Sequence, residues 1–386
     1  MGTITIGDSC EVLNGYAFKS EKYTSSGIRV IRIANVQKGY IEDDSPVFYQ
    51  TADVDLNKYM LRENDLLVSL TGNVGRTALL TKDMLPAVLN QRVACLRLKT
   101  NKITRGFLFH LLNSDYFESK CIQSSQGVAQ KNLSTEWLKS YDLPLYSLSK
   151  QNEITKILDN LRNTIILKEQ EINKFDELIK ARFVEMFGDY LKYDRRPLSE
   201  VAIITGGLTK NSNRNTFETK MPYLRVANVF YNRLDLREIL KIGVKEEEIE
   251  KTLLQAGDLL FVEGNGSIEQ IGRVAIWDGS IDPILHQNHL IKARFNNEII
   301  APEYALFYFM LQDGRQQIIS KSVSTSGLNT LSVNKVSSLL LPIPPIALQK
   351  QFSVFVKLVD KSREAVKKSL EKTKQLYDSL MQEYFG

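Results

Sequence analysis

Residues 65–76 read DLLVSLTGNVGR, and the start of this stretch returns in the second half of the chain as Asp258-Leu259-Leu260. The apolar run Asp65 to Leu70 predicts a strand, and the Gly/Asn-rich run after it predicts a loop. Upstream of both copies, Ala34-Asn35-Val36 returns as Ala227-Asn228-Val229. The chain is therefore predicted to contain two copies of one globular unit.

Two nearly equal copies predict two equivalent halves related by a pseudo-twofold axis. Duplex DNA is a partner with near-twofold symmetry, and it can offer a different base sequence to each half. We therefore expect DNA to be bound by both halves. Further repeated positions are Leu143-Pro144 with Leu341-Pro342, Gln151 with Gln349, Leu178 with Leu376, and Phe187-Gly188 with Phe385-Gly386.

A long amphipathic segment follows the globular part of each copy. Its apolar residues recur near heptad spacing, with Lys168 and Arg182 as exceptions. A helix of this kind would be roughly 50 Å long at 1.5 Å per residue. Its apolar residues form a narrow seam that needs a partner, and the equivalent helix of the other copy is the obvious partner. The alternative is that each helix packs on its own domain. The seam residues are Ile154, Leu158, Leu161, Ile165, Ile172, Phe175, Ile179 and Met186, then Phe352, Val356, Val359, Val366, Leu370, Tyr377, Leu380 and Tyr384.

The fold class predicted from these patterns is α+β, with two pseudo-twofold related globular domains separated by two long antiparallel coiled-coil helices. Strands are expected at 28–33 and 93–98, and a helix is expected at 107–112 with its counterpart at 305–310. The expected boundaries are a first globular domain over 1–146, a first spacer helix over 147–190, a second globular domain over 191–344 and a second spacer helix over 345–386.

Bulk composition limits the class of protein. The 386 residues carry a net charge of +5 from 50 basic and 45 acidic side chains, which is weak support for nucleic-acid binding unless the positive charge is local. No apolar run approaches the roughly 20 residues of a membrane span, and residues 1–11 lack the pattern of a signal peptide. The 3 cysteines form no Cys-x-x-Cys motif. We expect a cytoplasmic protein with no membrane partner.

Catalytic motifs are missing from the sequence. It has no Asn-Pro-Pro-aromatic tetrad for base methylation, no Gly-x-Gly-x-x-Gly after a strand and no phosphate-binding Gly-x-x-x-x-Gly-Lys-Ser/Thr loop. His286 and His289 have no nearby cysteines and make a poor metal site. We predict no catalytic, cofactor-binding or metal-binding residues. Two alternatives stay open: a single-chain DNA methyltransferase or restriction enzyme with an unrecognised catalytic site, and a coiled-coil scaffold that never contacts DNA.

A set of motifs follows in a fixed order through the first copy: Gly15-Tyr16-Ala17-Phe18-Lys19-Ser20, then residues 31–36, 65–69, 75–76 and 90–94. This order resembles a target recognition domain, and residues 143–188 look like the helical spacer attached to one. The double arrangement is similar to the specificity subunit of type I restriction–modification systems. One departure is that the second copy has Gly207-Leu208-Thr209-Lys210-Asn211 in place of the first motif, which leaves a common role for Lys19 and its counterpart in doubt.

The resemblance implies two target recognition domains, each reading half of a split site in double-stranded DNA. It also implies that two methyltransferase subunits and restriction (motor-nuclease) subunits dock on this chain. Those partners would bind the methyl donor and ATP, so no cofactor is expected for the chain itself.

Two copies that read different bases should share a frame and differ in their loops. We expect specificity at Asn73 against the loop 264–270, at Arg92 against Asn288, and at residues 126–131 against 324–329. This comparison also aligns Gln91 with Gln287. Arginine suits guanine, and asparagine or glutamine suits adenine, whereas lysines more naturally meet phosphates.

Individual residues in this set could instead have purely structural roles. Asn73, Asn90 and Asn265 could simply serve turns, and Arg76 and Arg273 are either phosphate contacts or structural ion pairs. The expected DNA-binding residues are Lys19, Ser20, Asn35, Asn73, Arg76, Asn90, Gln91, Arg92, Gln130 and Lys131 in the first copy, and Lys210, Asn211, Asn228, Asn265, Arg273, His286, Gln287, Asn288 and Asn329 in the second.

Overall fold

The computed structural model describes residues 2–50, 55–125, 132–189, 192–325 and 328–386. Its contacts divide into two compact units, one formed by Met1–Gln170 with Lys367–Gly386 and the other by Glu171–Val366. Each unit contains a globular part of strands and short helices together with segments of two long helices. The predicted α+β class, with two globular parts and two long helices, is confirmed.

A four-stranded antiparallel sheet forms the centre of the first unit. Its order is Cys10–Asn14, Val93–Leu98, Leu66–Ser69 and Thr77–Leu79. Successive side chains of Leu66–Ser69 point to opposite faces, so Leu66 and Val68 enter one apolar cluster and Leu67 enters another. Because both faces of this strand are covered, its sequence is a continuous apolar run and does not alternate.

The other elements of the first unit surround this sheet. Gly2–Thr5 pairs with Asp142–Leu145, and a second sheet has the order Phe48–Tyr49, Ile28–Ile31, Ala87–Leu89, of which the last two strands are parallel. The helices are Ile6–Ser9, Arg105–Leu112, Asp115–Ser124 and Thr135–Ser140, with 3-10 turns at Ser20–Lys22, Ile33–Asn35, Asn57–Tyr59 and Lys82–Met84.

The second unit repeats this topology. Its four-stranded sheet has the order Ala202–Gly206, Leu290–Phe295, Leu259–Val262, Val274–Ile276, and its three-stranded sheet has the order Leu240–Gly243, Lys220–Leu224, Leu285–His286. Arg195–Pro197 pairs with Leu340–Pro342. The helices are Leu198–Val201, Glu246–Thr252, Pro302–Met310, Gln312–Lys321 and Val333–Ser337, with 3-10 turns at Ser212–Thr216 and Val226–Asn228.

Two small sheets complete the second unit. One is the hairpin of Val229–Phe230 with Arg233–Leu234, and the other has the order Gly264–Asn265, Leu328–Thr330, Val323–Thr325. The second of these sheets occupies part of the segments that the sequence marked as variable loops.

A buried ion pair accounts for the repeated aspartate. Arg97 donates to both carboxylate oxygens of Asp65 at 2.9 and 2.6 Å, and Arg294 donates to both oxygens of Asp258 at 2.8 and 2.7 Å. The two aspartates are only 4% and 1% exposed. Bidentate geometry of this kind compensates a buried carboxylate, so the repeated position is structural in both units.

A buried glutamine accounts for the repeat that begins each long helix. The Gln151 amide accepts from Thr104 N at 2.8 Å and donates to Lys102 O at 2.8 Å. The Gln349 amide accepts from Ala301 N at 2.9 Å and donates to Ile299 O at 3.0 Å. Each glutamine therefore attaches the first turns of a long helix to the globular part of its own unit.

The two long helices are Leu148–Phe187 and Ile346–Phe385, each of 40 residues, or about 60 Å. All of the apolar seam residues named from the sequence are buried or half-buried. Lys168 breaks the seam, but its ammonium donates to Ser369 Oγ and Thr373 Oγ1, both at 2.8 Å. Within the described residues no helix is long and apolar enough to cross a membrane.

The helix segments are antiparallel within each unit. In the first unit Lys374 pairs with Glu169 at 2.7 Å, and Tyr384, further along the second helix, lies beside Lys150. In the second unit Arg363 pairs with Asp176 at 2.6 Å, and the rings of Phe183 and Phe352 lie 5.3 Å apart. The ends of the helices also join the globular cores, so both packing modes considered from the sequence contribute.

Candidate nucleic-acid interface

Segments distant in sequence meet at one end of the central sheet of the first unit. Gln91 N donates to Tyr16 O at 2.9 Å, Leu70 N donates to Arg92 O at 2.9 Å, and Leu133 N donates to Leu70 O at 2.7 Å. We call residues 15–20, 70–73, 90–92 and 132–133 the first loop cluster. Gly15 permits this meeting, because a Cβ there would lie 2.3 Å from the Asn90 carbonyl oxygen.

The second unit builds the same arrangement with other side chains. Asn288 N donates to Leu208 O at 3.0 Å, Glu263 N donates to His289 O at 2.9 Å, and Leu331 N donates to Glu263 O at 2.7 Å. We call residues 207–211, 263–267, 287–289 and 328–331 the second loop cluster. A Cβ on Gly207 would lie 2.1 Å from the His286 carbonyl oxygen, which explains the second glycine.

These backbone bonds correct the alignment of the two turns. Gln91 and Asn288 both donate to the loop that follows the repeated glycine, and the carbonyls of Arg92 and His289 both accept from the end of the central strand. The sequence comparison aligned Gln91 with Gln287 and Arg92 with Asn288. This alignment was wrong by one residue, because the glutamine is the second residue of the turn 90–92 but the first residue of the turn 287–289. The structural counterpart of Arg92 is His289, which was not among the expected residues.

Most of the expected residues lie in or next to these clusters. Side chains that are exposed are Lys19, Ser20, Asn73, Gln91 and Arg92 in the first unit, and Lys210 and Asn211 in the second. Half-buried ones are Asn265, Gln287, Asn288 and Asn329. Gln130 and Lys131 lie outside the described residues.

Three expected asparagines are buried, and their amides are used inside the protein. Asn35 accepts from Arg32 N at 2.9 Å and donates to Glu42 O at 2.8 Å, and Asn228 accepts from Arg225 N at 2.8 Å and donates to Asp235 O at 2.8 Å. Asn90 is 8% exposed and accepts from Arg92 N at 3.2 Å. These amides shape their own loops, which for Asn90 is the turn role considered from the sequence.

His286 is fully buried, which contradicts its expected contact with DNA. Its Nδ1 lies 2.8 Å from the Thr252 carbonyl. Burial lowers the pKa of this imidazole to about 4, so the ring is neutral near pH 7 and Nδ1 donates to the carbonyl. Its place corresponds to Leu89, a core residue of the first unit, as the corrected alignment requires. The sequence did not reveal this because a histidine in a polar turn looks exposed.

Arg76 and Arg273 support the loop that carries the repeated Ala-Asn-Val. The Arg76 guanidinium donates to the Gln37 amide oxygen, and Arg273 donates to Val226 O at 3.4 Å and lies 5.3 Å from the centre of the Phe230 ring. Burial lowers the pKa of Arg273. Neither arginine has a salt bridge within the described residues, so the structural alternative considered for them takes the form of hydrogen bonds and not of ion pairs.

An arginine that the sequence did not single out holds the variable loop of the second unit. Arg315 Nη2 donates to the carbonyls of Ile268 and Glu269, both at 2.9 Å, and Nη1 donates to Ile271 O. The Tyr231 hydroxyl donates to Glu269 O at 2.6 Å, and its ring lies under the guanidinium at 5.6 Å. One side chain therefore binds three carbonyls of the loop between Leu259–Val262 and Val274–Ile276.

The described residues hold no cluster of three or more His, Cys, Asp or Glu side chains that could bind a metal ion. The thiols of Cys10, Cys95 and Cys121 are free and buried. Burial raises the pKa of Cys10 to about 11 and that of Cys121 to about 12, as expected of inert core thiols.

The family model of the type I restriction modification DNA specificity domain matches residues 1–176 and 191–375. The specificity subunit of the type I restriction enzyme EcoKI from Escherichia coli K12 is 23% identical over 370 residues, which cover 88% of this chain and 78% of that protein. The EcoAI specificity subunit of Escherichia coli is 34% identical over 182 residues, or 46% of this chain and 29% of that protein.

Solved structures agree in fold. The type I restriction–modification S subunit from M. genitalium aligns with a TM-score of 0.55 at 18% identity, covering 100% of this chain and 96% of its own. A chain from a structural study of complex assembly and conformational transition in the type I system aligns with a TM-score of 0.60 at 14% identity, covering 100% and 97%. These relatives offer no support for a single-chain methyltransferase or nuclease.

Proposed function

This chain belongs to the family of type I restriction–modification DNA specificity subunits, and on that premise we propose that each loop cluster reads one half of a bipartite DNA target. Members of this family are DNA-recognition subunits without catalytic activity of their own. The observation that supports the proposal is the pair of loop clusters. Both are built by the same backbone bonds, yet they present different side chains to solvent.

Exposure and hydrogen bonding divide the expected residues by role. Arg92, Gln91 and Asn73 would contact bases or phosphates from the first cluster, and Asn288, Gln287 and Asn265 would do so from the second. Lys19 and Lys210 suit phosphates. Asn35, Asn228 and His286 are left out because they are buried, with both amides and the His286 Nδ1 bonded inside the protein.

Arg92→Ala tests the role of the first cluster. In a complex reconstituted with the methyltransferase subunits, we expect the variant to relax one half of the methylated motif and to weaken binding at that half by about tenfold, because a bidentate base contact contributes 1–3 kcal/mol. The other half should not change. Motif sequencing and competition binding measure both effects.

Lys99→Ala is the matched control, because Lys99 is an exposed cation just beyond the opposite end of the strand Val93–Leu98. An unaltered motif in Arg92→Ala, or equal effects of both variants, would contradict a reading role for the first cluster. A chain that protects no specific sequence would contradict the proposed function as a whole.

We further propose that two methyltransferase subunits dock on the long helices, with restriction subunits joining the assembly. The support is that the repeated leucine is exposed on both helices, at 48% for Leu178 and 50% for Leu376. Each unit thus presents an equivalent apolar position. A DNA target of this kind implies that the chain works in the cytoplasm.

Leu376→Asp tests this stoichiometry. A carboxylate at an apolar contact is costly to desolvate, so native mass spectrometry should show complexes with one methyltransferase copy where the original chain carries two. Gln375→Asp, an exposed neighbour on the same helix, should retain both copies. Two retained copies in Leu376→Asp would remove this leucine from the docking site.

A further inference from the structure

His289 and Glu263 form a hydrogen-bonded pair in the second loop cluster. His289 Nδ1 lies 2.8 Å from Glu263 Oε2. The side chains are 54% and 29% exposed, so the pair borders solvent. Their backbones are joined as well, by the bond from Glu263 N to His289 O at 2.9 Å.

The equivalent place in the first unit carries different chemistry. There the same backbone bond joins Leu70 to Arg92. Leu70 is buried, whereas Arg92 is exposed and its guanidinium has no hydrogen-bond or salt-bridge partner within the described residues. One unit therefore offers a free cation at this place, and the other offers an imidazole held by a carboxylate.

The two places have opposite hydrogen-bonding polarity. An ionised carboxylate only accepts, so His289 Nδ1 must carry the proton that bonds it to Glu263. In its uncharged form the ring presents Nε2 as an acceptor, beside the free oxygen of the carboxylate, which also accepts. Arg92 presents donors only.

Opposite polarity selects different base edges in the major groove. Adenine N6 and cytosine N4 are amino donors, whereas guanine presents the acceptors O6 and N7 and thymine presents the acceptor O4. Accepting groups therefore pair with adenine or cytosine, and an unpaired carboxylate beside a guanine or a phosphate is unfavourable.

We propose that His289 and Glu263 are specificity-determining residues that select an adenine or cytosine amino group at one position of the second half-site. The inference rests on the proposed function, because it assumes that the second loop cluster faces DNA. Arg92 takes the same place in the first unit and selects an acceptor edge.

The proposal is tested by measuring the base preference of the complete complex at each half-site position. The full-length chain is assembled with its methyltransferase subunits, its motif is found by methylome sequencing, and competitors carrying each of the four bases at every half-site position are measured. One position of the second half-site should prefer adenine or cytosine over guanine and thymine by at least tenfold.

The double variant Glu263→Leu with His289→Arg installs the residues of the first unit. It should move that position towards guanine by at least tenfold and leave the first half-site unchanged. Arg92→His makes one of these two exchanges in the opposite direction and should alter only the first half-site.

Glu263→Gln keeps the size of the side chain and decides the question if the double variant fails to fold. Its amide places a donor beside His289, so preference for the amino base should fall about tenfold while the thermal unfolding midpoint is retained.

Unchanged base preference in a folded Glu263→Gln variant overturns the inference, as does a guanine preference of the original chain at this position. In both cases a bipartite motif that persists leaves the proposed function standing. If the original complex shows no bipartite motif, the proposed function fails first.

Discussion

At the scale of single residues, polar side chains of both units divide between structural and exposed roles. Asp65 and Asp258 are compensated by arginines, and Gln151 and Gln349 are bonded to backbone. Arg92 and His289 occupy equivalent places at the ends of the two central sheets, one in each unit. Arg92 leaves donors free, whereas His289 with its carboxylate partner leaves acceptors free. Repetition therefore marks the structural residues, and difference at an equivalent backbone position marks the candidates for reading DNA.

His286→Leu tests whether the buried histidine is a neutral core residue, because leucine is the residue at the equivalent place in the first unit. The pKa of this imidazole is about 4 in the folded protein, against about 6.5 in the unfolded chain. The unfolded state therefore binds more protons between these values. Stability from this group is complete above pH 6.5 and is lost as the pH falls towards 4.

At pH 5 this loss amounts to about 2 kcal/mol. Denaturant unfolding of the second unit at pH 7.5 and pH 5 should show a smaller acid destabilisation in His286→Leu than in the original chain. His289→Gln, at an exposed position, serves as the comparison. An identical pH dependence in His286→Leu and the original chain would mean that the ring is not held neutral.

At the scale of elements, the strands and helices come from local patterns, while the loops depend on distant partners. The strand predicted at 93–98 is observed as Val93–Leu98, and the helix predicted at 107–112 lies within Arg105–Leu112. The loop after Leu259–Val262 is held by Arg315 from a separate helix and by strand pairing with Leu328–Thr330. The two partners in each of these contacts are too far apart in sequence for a local pattern to include both.

Arg315→Met should release that loop without unfolding its domain. Methionine keeps an apolar stem over Tyr231 but removes the donors to three carbonyls. Hydrogen exchange of amides in 264–272 should become at least tenfold faster, and the second half of the motif should relax. Arg237→Met, whose guanidinium bonds only to Asp235 among the described residues, should leave both unchanged. Unaltered exchange in Arg315→Met would rule out this support.

At the scale of the whole molecule, we propose that the two long helices act as the spacer between the two half-sites. If they set the separation of the two half-sites, that separation should follow helix length. An insertion of about four residues, roughly one turn, after Lys174 and a matching one after Lys372 should change the gap in the recognised motif. Methylome sequencing measures the gap. An unchanged gap in an assembled, active complex would exclude the helices as the spacer.

The sequence by itself determined the two copies, several of their strands and the two long helices. These depend on repetition and on apolar periodicity, which are written along the chain. Only the tertiary structure decided that His286 and Asn35 point inward, that Arg315 holds a loop and that His289 corresponds to Arg92. The physical reason is that burial and backbone register depend on hydrogen bonds between segments far apart in sequence, and two neighbouring polar residues of a turn can exchange places without altering any local pattern.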